Sequence, residues 1–416
     1  MILLRLALRS LISRRVTVGL TVLAIALSTA LFLGVEKVRT GARASFADTI
    51  SDTDLILGAR TGGVQLLLYS VFRIGNATNN VTWESFEDLA SRPEVDWAVP
   101  ISLGDSHRGF RVMGTTTDYF DRYKYRGGRA LSFAEGGRPA DLFDAAVGAD
   151  VARELGYRLG QEIVVAHGLA SFTDHDDKPF RVSGILEKTG TPVDRTVIVS
   201  LEAIEAIHAD WQGGGRSGTP ISAAQVRELD LSPRAITAAM IGTSSPLQVF
   251  KLQRAINEYP EEPLMAVIPG VALQELWEIV GVAETALLGV SAMVVATALL
   301  GMTAMIFSGL NERRREMAIF RAVGARPRTI LGMLTLEAAL MATAGAALGV
   351  ILLYTGLWIA RPHVDAAFGL YLPIAPLTGR ETAGLIAVVI GGTLVGTIPA
   401  IRAYRISLAD GMTVRS

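Results

Sequence analysis

Between two long apolar runs the chain carries Asn311-Glu-Arg-Arg-Arg-Glu-Met-Ala-Ile-Phe-Arg-Ala-Val-Gly-Ala-Arg-Pro-Arg328, a short segment loaded with arginine. Each charge left unpaired at the centre of a hydrocarbon layer costs about 2.5–3.5 kcal/mol even on a mild scale. The segment therefore lies in water or against a partner, and the runs flanking it read as membrane helices. The rest of the chain is placed relative to it.

Four apolar runs are long enough to span roughly 30 Å of hydrocarbon: 16–35, 285–310, 329–360 and 382–401. A cleaved signal peptide competes for the first, but its apolar core is usually shorter, and an uncleaved anchor fits better. Ahead of that run, residues 1–15 interleave leucines with Arg5, Arg9, Arg14 and Arg15, as an amphipathic helix lying in the membrane surface does. The spacing Val35, Val38, Ala42, Phe46, Ile50 has helical period and extends the first span as a stalk to about residue 50. Residues 272–284 form a similar stalk leading into the second span. Arginines cluster before the first span, within 311–328, and at Arg402, Arg405 and Arg415 in the tail 402–416. Four spans put all three groups on one side, the cytoplasmic side by the positive-inside rule. The region 51–271 and the short loop 361–381, with its prolines, then face outward.

The outward region is mixed α and β. Leu55–Leu57 reads as a strand, Thr82–Ala90 as a helix with Thr82 as N-cap, and Val95–Ile101 as a strand. The same order returns near the region's end, with Ile236–Ile241, Pro246–Asn257 and Leu264–Ile268. Two βαβ-like pieces thus flank a middle section, about 105–227, with strand candidates at Phe110–Met113, Ile163–Ala166, Phe180–Ile185 and Thr196–Val199. That section also has a helix, Asp150–Leu155, stopped by Gly156. This layout predicts one split α/β subdomain with a second, β-rich one inserted. The glycine-rich Gln212–Pro220 reads as the connector back. The run Leu66–Phe72 is open between core and a greasy surface that touches a partner.

Catalytic signatures are few. There is no Walker A sequence, no HExxH, no GxSxG and no CxxC, and with no cysteine at all there is neither a disulfide nor a thiolate metal site. The net charge of −1 says nothing about partners. The densest group of potential metal ligands is His167, Asp174, His175 and Asp176, for which a solvated polar loop is the plainer account; His107 and His208 lie well away in sequence. Glu337 sits two turns inside the third span, either as a functional intramembrane carboxylate or as partner to a loop arginine. Gly345 with Gly349, and Gly392 with Gly396, are small-xxx-small pairs suited to helix packing within the bundle or against a second copy. No file of polar residues that would line a pore runs along any span.

Glu312–Leu331, followed by Leu336-Glu-Ala338, resembles the signature of MacB/FtsX-type ABC permeases. Ile398–Met412 and Val147–Gly156, continuing to Gly160-Gln-Glu-Ile163, resemble the same family, and Gly184–His208 looks like one of its less-studied branches. The resemblance implies an α-helical membrane protein with four transmembrane helices and a large α+β periplasmic domain, made of a porter-like βαβ subdomain with an inserted β-rich subdomain. It further implies a bacterial inner membrane location, a homodimer or paralogue pair, and a coupling helix at Glu316–Gly324 seated in a cytoplasmic ABC ATPase subunit. Glu316, Met317, Ile319, Phe320, Arg321 and Gly324 would carry that contact. On this reading the chain is not itself an enzyme and binds no cofactor. ATP and Mg²⁺ belong to the partner ATPase, whose work reaches the periplasmic domain by mechanotransmission for export or release of a substrate. Expected partners are a periplasmic adaptor, carrier or substrate protein and membrane lipid, with no nucleic acid. The alternative is an FtsX-like transducer that activates an extracytoplasmic enzyme.

Overall fold

In a computed structural model, residues 2–168, 176–212, 215–216, 221–312, 314–368 and 374–405 are described. They divide into two compact units. One comprises 1–41, 281–362 and 373–416; the other comprises 42–280 and 363–372.

The first unit holds the membrane-type helices. Helix α1 (Ile2–Ser13) is followed after Arg14 by α2 (Arg15–Asp48). Four helices among the described residues are long and apolar enough to cross a membrane, beginning at Arg15, Pro269, Pro327 and Gly379. The first and second continue well past a bilayer's thickness, as the stalk spacing predicts. The third does not stop where expected. It runs through Pro362 to Phe368, and the fourth begins at Gly379, so 361–368 and 379–381 of the expected 361–381 loop are helical. A proline removes one hydrogen bond and bends a helix without having to end it. Thr378 is what starts the last helix. Its backbone N–H donates to Glu381 Oε2 at 2.7 Å, and Glu381 N–H donates back to Thr378 Oγ1 at 3.3 Å, a reciprocal capping box.

The second unit is built on one sheet. Its strands are β1 (Leu55–Ala59), β2 (Val95–His107), β3 (Phe110–Thr115), β4 (Phe133–Gly136), β5 (Asp144–Val147), β6 (Glu162–Ile163), β7 (Phe180–Leu186), β8 (Thr196–Ser200), β9 (Ala238–Thr243) and β10 (Leu264–Val267). The spatial order is β10-β1-β9-β2-β3-β8-β5-β7-β4, with β6 paired to β7. Pairs β3–β8 and β5–β7 are parallel and the others antiparallel, so the sheet is mixed. Strand β2 is the hinge of this arrangement. Its first half pairs with β9 and its second half with β3, so the flanking pieces and the middle section share one continuous sheet.

Helices α3 (Gly63–Ser70), α4 (Trp83–Ala90), α5 (Ala149–Leu155), α6 (Leu201–His208) and α7 (Gln248–Asn257) cover the faces. Alternation along each strand decides which core a residue enters. Leu55 and Leu57 pack with Phe86, Leu89, Leu252 and Ile256. Ile56 points the other way, toward Leu66, Leu67 and Tyr69. At the far end Val197 and Val199 meet Val151 and Ala203, while Ile198 joins the core of Ile56. The run Leu66–Phe72 is therefore core. Local signals act as expected: Thr82 caps α4 by accepting from Ser85 N–H, and Gly156, at φ +68°, ends α5 in the left-handed conformation.

The chain then returns to the first unit. Helix α8 (Pro269–Glu312) is unbroken, α9 (Arg314–Ala322) is short, and α10 (Pro327–Phe368) and α11 (Gly379–Arg405) complete the bundle.

Candidate functional site

Helix α9 occupies the arginine-rich segment between two spans. It begins and ends two residues earlier than the expected Glu316–Gly324. Val323 N–H still donates to Ile319 O, and Gly324 N–H to Arg321 O. Gly324 then takes φ +100°, a conformation that disfavours a side chain, and Pro327 opens α10 two residues after Ala325. Met317 is buried with Leu310, Ile330, Leu334, Ala400 and Ala403, which ties α9 to the ends of α8, α10 and α11. On another face Ile319 is 61% and Val323 84% exposed. Val323, the residue that follows α9, lies one helical turn from Ile319, so the two form an exposed apolar stripe at the end of the helix. Arg321 is half-buried beside them. The side chains of Glu316 and Phe320 lie outside the described set.

The same end of the bundle gathers the basic residues. Arg14 donates to Gly309 O at 3.3 Å, and the Arg402 guanidinium lies 5.7 Å from the Phe307 ring centre. Arg14 and Arg402 are thus both brought to the last turns of α8, just ahead of α9.

Deeper in the bundle, Glu337 is 5% exposed. The glycine pairs pack within the chain. A Cβ on Gly345 or Gly349 would lie 2.6 Å from Ile25 Cγ2 or 2.8 Å from Ala26 O on α2, and one on Gly392 or Gly396 would lie 2.6 or 2.1 Å from Ala342 Cβ or Ala338 Cβ on α10. An ion pair that the sequence reading passed over lies near the other end. Lys37 Nζ on α2 is 3.0 Å from Glu381 Oε2 on α11, and both side chains are nearly or fully buried. Lys37 also donates to Ala375 O and Pro376 O. The Thr378-Gly-Arg-Glu381 pattern before an apolar run was the available signal.

The expected ligand group of His167, Asp174, His175 and Asp176 falls only partly within the described residues. Asp174 and His175 fall outside the described residues, and Asp176 is exposed. Among the described residues, the imidazole of His167 meets Asp105 and His208, from β2 and α6. Sequence distance hid this, since the sheet brings together residues that no local spacing connects. Burial disfavours a charged His208, but the adjacent Asp105 carboxylate outweighs it and holds the imidazole above its ordinary pKa. His107, next to Ser106, is a structural residue, with Nδ1 at Val164 O and Nε2 at the Tyr157 hydroxyl.

Residues 18–259 match the family of MacB-like periplasmic core domains, and residues 288–408 match the FtsX-like permease C-terminal family. A curated relative, the pyoverdine export ATP-binding/permease protein PvdT of Pseudomonas syringae pv. tomato, is 23% identical over 353 residues. The match covers 80% of this chain and 48% of PvdT, so the chain spans about half the length of that relative. Among solved structures, the periplasmic region of MacB from Actinobacillus actinomycetemcomitans aligns with 55% of this chain and 94% of its own, at 11% identity and a TM-score of 0.33. The extracellular domain of the noncanonic ABC-type transporter YknZ from Gram-positive bacteria covers 52% and 98%, at 12% identity and a TM-score of 0.30.

Proposed function

The chain belongs to the MacB/FtsX-type family of ABC transporter permeases, and from that premise we propose that it relays the work of an ATPase partner to its extracytoplasmic domain. ATP and Mg²⁺ would be bound by that partner, and the output would be export or release of a substrate, in keeping with the export role in PvdT's name. The observation that carries this reading is the Ile319–Val323 stripe. Apolar side chains this exposed, in the short arginine-rich segment between two spans, fit the surface of a docked protein. Met317 anchors the opposite side of α9 to three other helices, so a push on the stripe reaches the bundle.

Ser28, Ser291 and Thr303 each donate to a carbonyl of their own helix, at Ala24, Leu287 and Leu299, so these three hydroxyls are satisfied within their helices, in keeping with movement rather than a pore. An FtsX-like transducer that switches an extracytoplasmic enzyme would use the same coupling. The two readings separate by what co-purifies on the outer side, a carrier or exported substrate in one case and a hydrolase in the other.

Replacing Ile319 and Val323 together by Asp is expected to abolish co-purification with the ATPase subunit while leaving the chain membrane-inserted. An undiminished pull-down would reject the docking role. Orientation has its own test, made simple because the natural sequence has no cysteine. Single cysteines placed in 60–260 should react with a membrane-impermeant maleimide added outside intact cells. Those placed in 311–328 should react only after lysis. The reverse pattern would overturn the topology.

A further inference from the structure

We propose that Asp105, His167 and His208 form a binding site for one divalent transition cation, with Zn²⁺ as the best match. This site goes beyond the relay function and does not depend on it. Three ligand-type atoms converge. His167 Nδ1 and His208 Nε2 are 3.0 Å apart, and Asp105 Oδ1 is 3.5 Å from the first and 3.4 Å from the second. A tetrahedral zinc ion with bonds of about 2.0–2.1 Å holds its ligand atoms about 3.3 Å from one another. The observed triangle has the size of one face of that tetrahedron.

The protonation pattern points the same way. His208 Nδ1 lies 2.8 Å from the Ile204 carbonyl, which can only accept, so Nδ1 carries the proton. In the neutral ring Nε2 then presents its lone pair to the cluster. A backbone carbonyl that fixes the tautomer in this way is the usual support of a metal-bound imidazole. The Asp105 side chain is 4% exposed, and its Oδ1 accepts no hydrogen bond, since the two imidazole nitrogens stand beyond the normal hydrogen-bond distance. Leaving a carboxylate oxygen buried and unsatisfied is costly. A cation at the centre of the triangle would satisfy all three atoms together, whereas a proton shared by the histidines leaves Oδ1 poorly served.

Each ligand is held by rigid structure. Asp105 sits where the β2–β3 register shifts, between Leu103 and Ser106. Ser106 and Ala166 exchange two backbone hydrogen bonds, at 2.9 and 2.8 Å, and so set His167 beside Asp105. His107 grips Val164 and Tyr157 from the next position on β2. His208 is the last residue of α6, whose start is capped by Ser200 accepting from Ala203 N–H. Two residues on, Asp210 is pinned at 3.0 Å by the fully buried Lys178. Ligands carried on locked elements are the condition for a preorganised site. The His167 side chain is 43% exposed, so the fourth coordination position faces solvent and would take water or an incoming donor.

The test uses the full chain purified in detergent, stripped with a chelator and titrated with Zn²⁺ against a competing indicator. One Zn²⁺ per chain is expected. Asp105→Asn and His208→Ala should each weaken binding by roughly tenfold or more, and His363→Ala should leave it unchanged. X-ray absorption at the zinc edge of the wild-type protein is expected to show two imidazoles and nitrogen or oxygen ligands at about 2.0 Å, a reading that does not depend on any variant folding. Failure of the wild-type chain to retain zinc against the indicator would overturn the site. So would a first shell without two imidazoles, or wild-type affinity in the variants.

Discussion

Lys37→Met is expected to destabilise the membrane unit by about 3–5 kcal/mol, the usual cost of removing one member of a buried ion pair. Its ammonium faces Glu381 at 3.0 Å and donates to the carbonyls of Ala375 and Pro376, so its loss strands one carboxylate and two carbonyl oxygens. Glu381 has little slack to absorb this. One of its oxygens already holds the N-terminus of α11 through Thr378, and the other has no hydrogen-bond partner. Glu381→Gln should cost less, because an amide oxygen can still accept from Thr378 N–H. The double variant Lys37→Met, Glu381→Gln should recover part of the loss of Lys37→Met, since the uncompensated charge is gone. Thermal melting in detergent of the four proteins forms a complete cycle. Strict additivity would show that the two groups do not interact.

The second large effect is expected at the glycines. A Cβ at position 396 would lie 2.1 Å from Ala338 Cβ, and one at 349 would lie 2.8 Å from a backbone carbonyl of α2. Gly396→Ala therefore forces α10 and α11 apart and should cost about 1–3 kcal/mol, as overpacking does. Gly356→Ala, on α10, is the control. Nothing lies within 4 Å of its added carbon, and the gain in helix propensity over glycine should leave the protein as stable or more so, by up to about 1 kcal/mol. Equal melting temperatures for Gly396→Ala and Gly356→Ala would show that close contact between helices is not what position 396 requires.

What the sequence made legible follows from the range of the forces involved. The four spans were readable because hydrocarbon permits only long uncharged helices, a constraint written locally in the chain. Thr82 and Gly156 were readable for the same reason, since caps act within one turn. Strand β2 was read only to Ile101, because Gly104 and Asp105 interrupt the apolar pattern where the register shifts. The grouping of His167 with Asp105 and His208 was not legible, because ligand spacing along the chain pairs His167 only with its neighbours. These companions come from β2 and α6, and only the sheet order brings them together. The Lys37–Glu381 pair fell between these cases. Its capping pattern was local, but the prolines around it suggested a loop, and nothing nearby in sequence names Lys37 as the partner.

The sheet order also dictates how the protein can be made. Strand β1 is the first to emerge during synthesis, yet its two neighbours are β9 and β10, and Ile56 pairs with both Met240 and Val267. No part of that edge can assemble until nearly the whole outer region has been delivered across the membrane. Contacts so distant along the chain form slowly. Until then the apolar strands of this edge stay uncovered, so it is the last part of the outer region to close and the part most exposed to misassembly while the chain is being made.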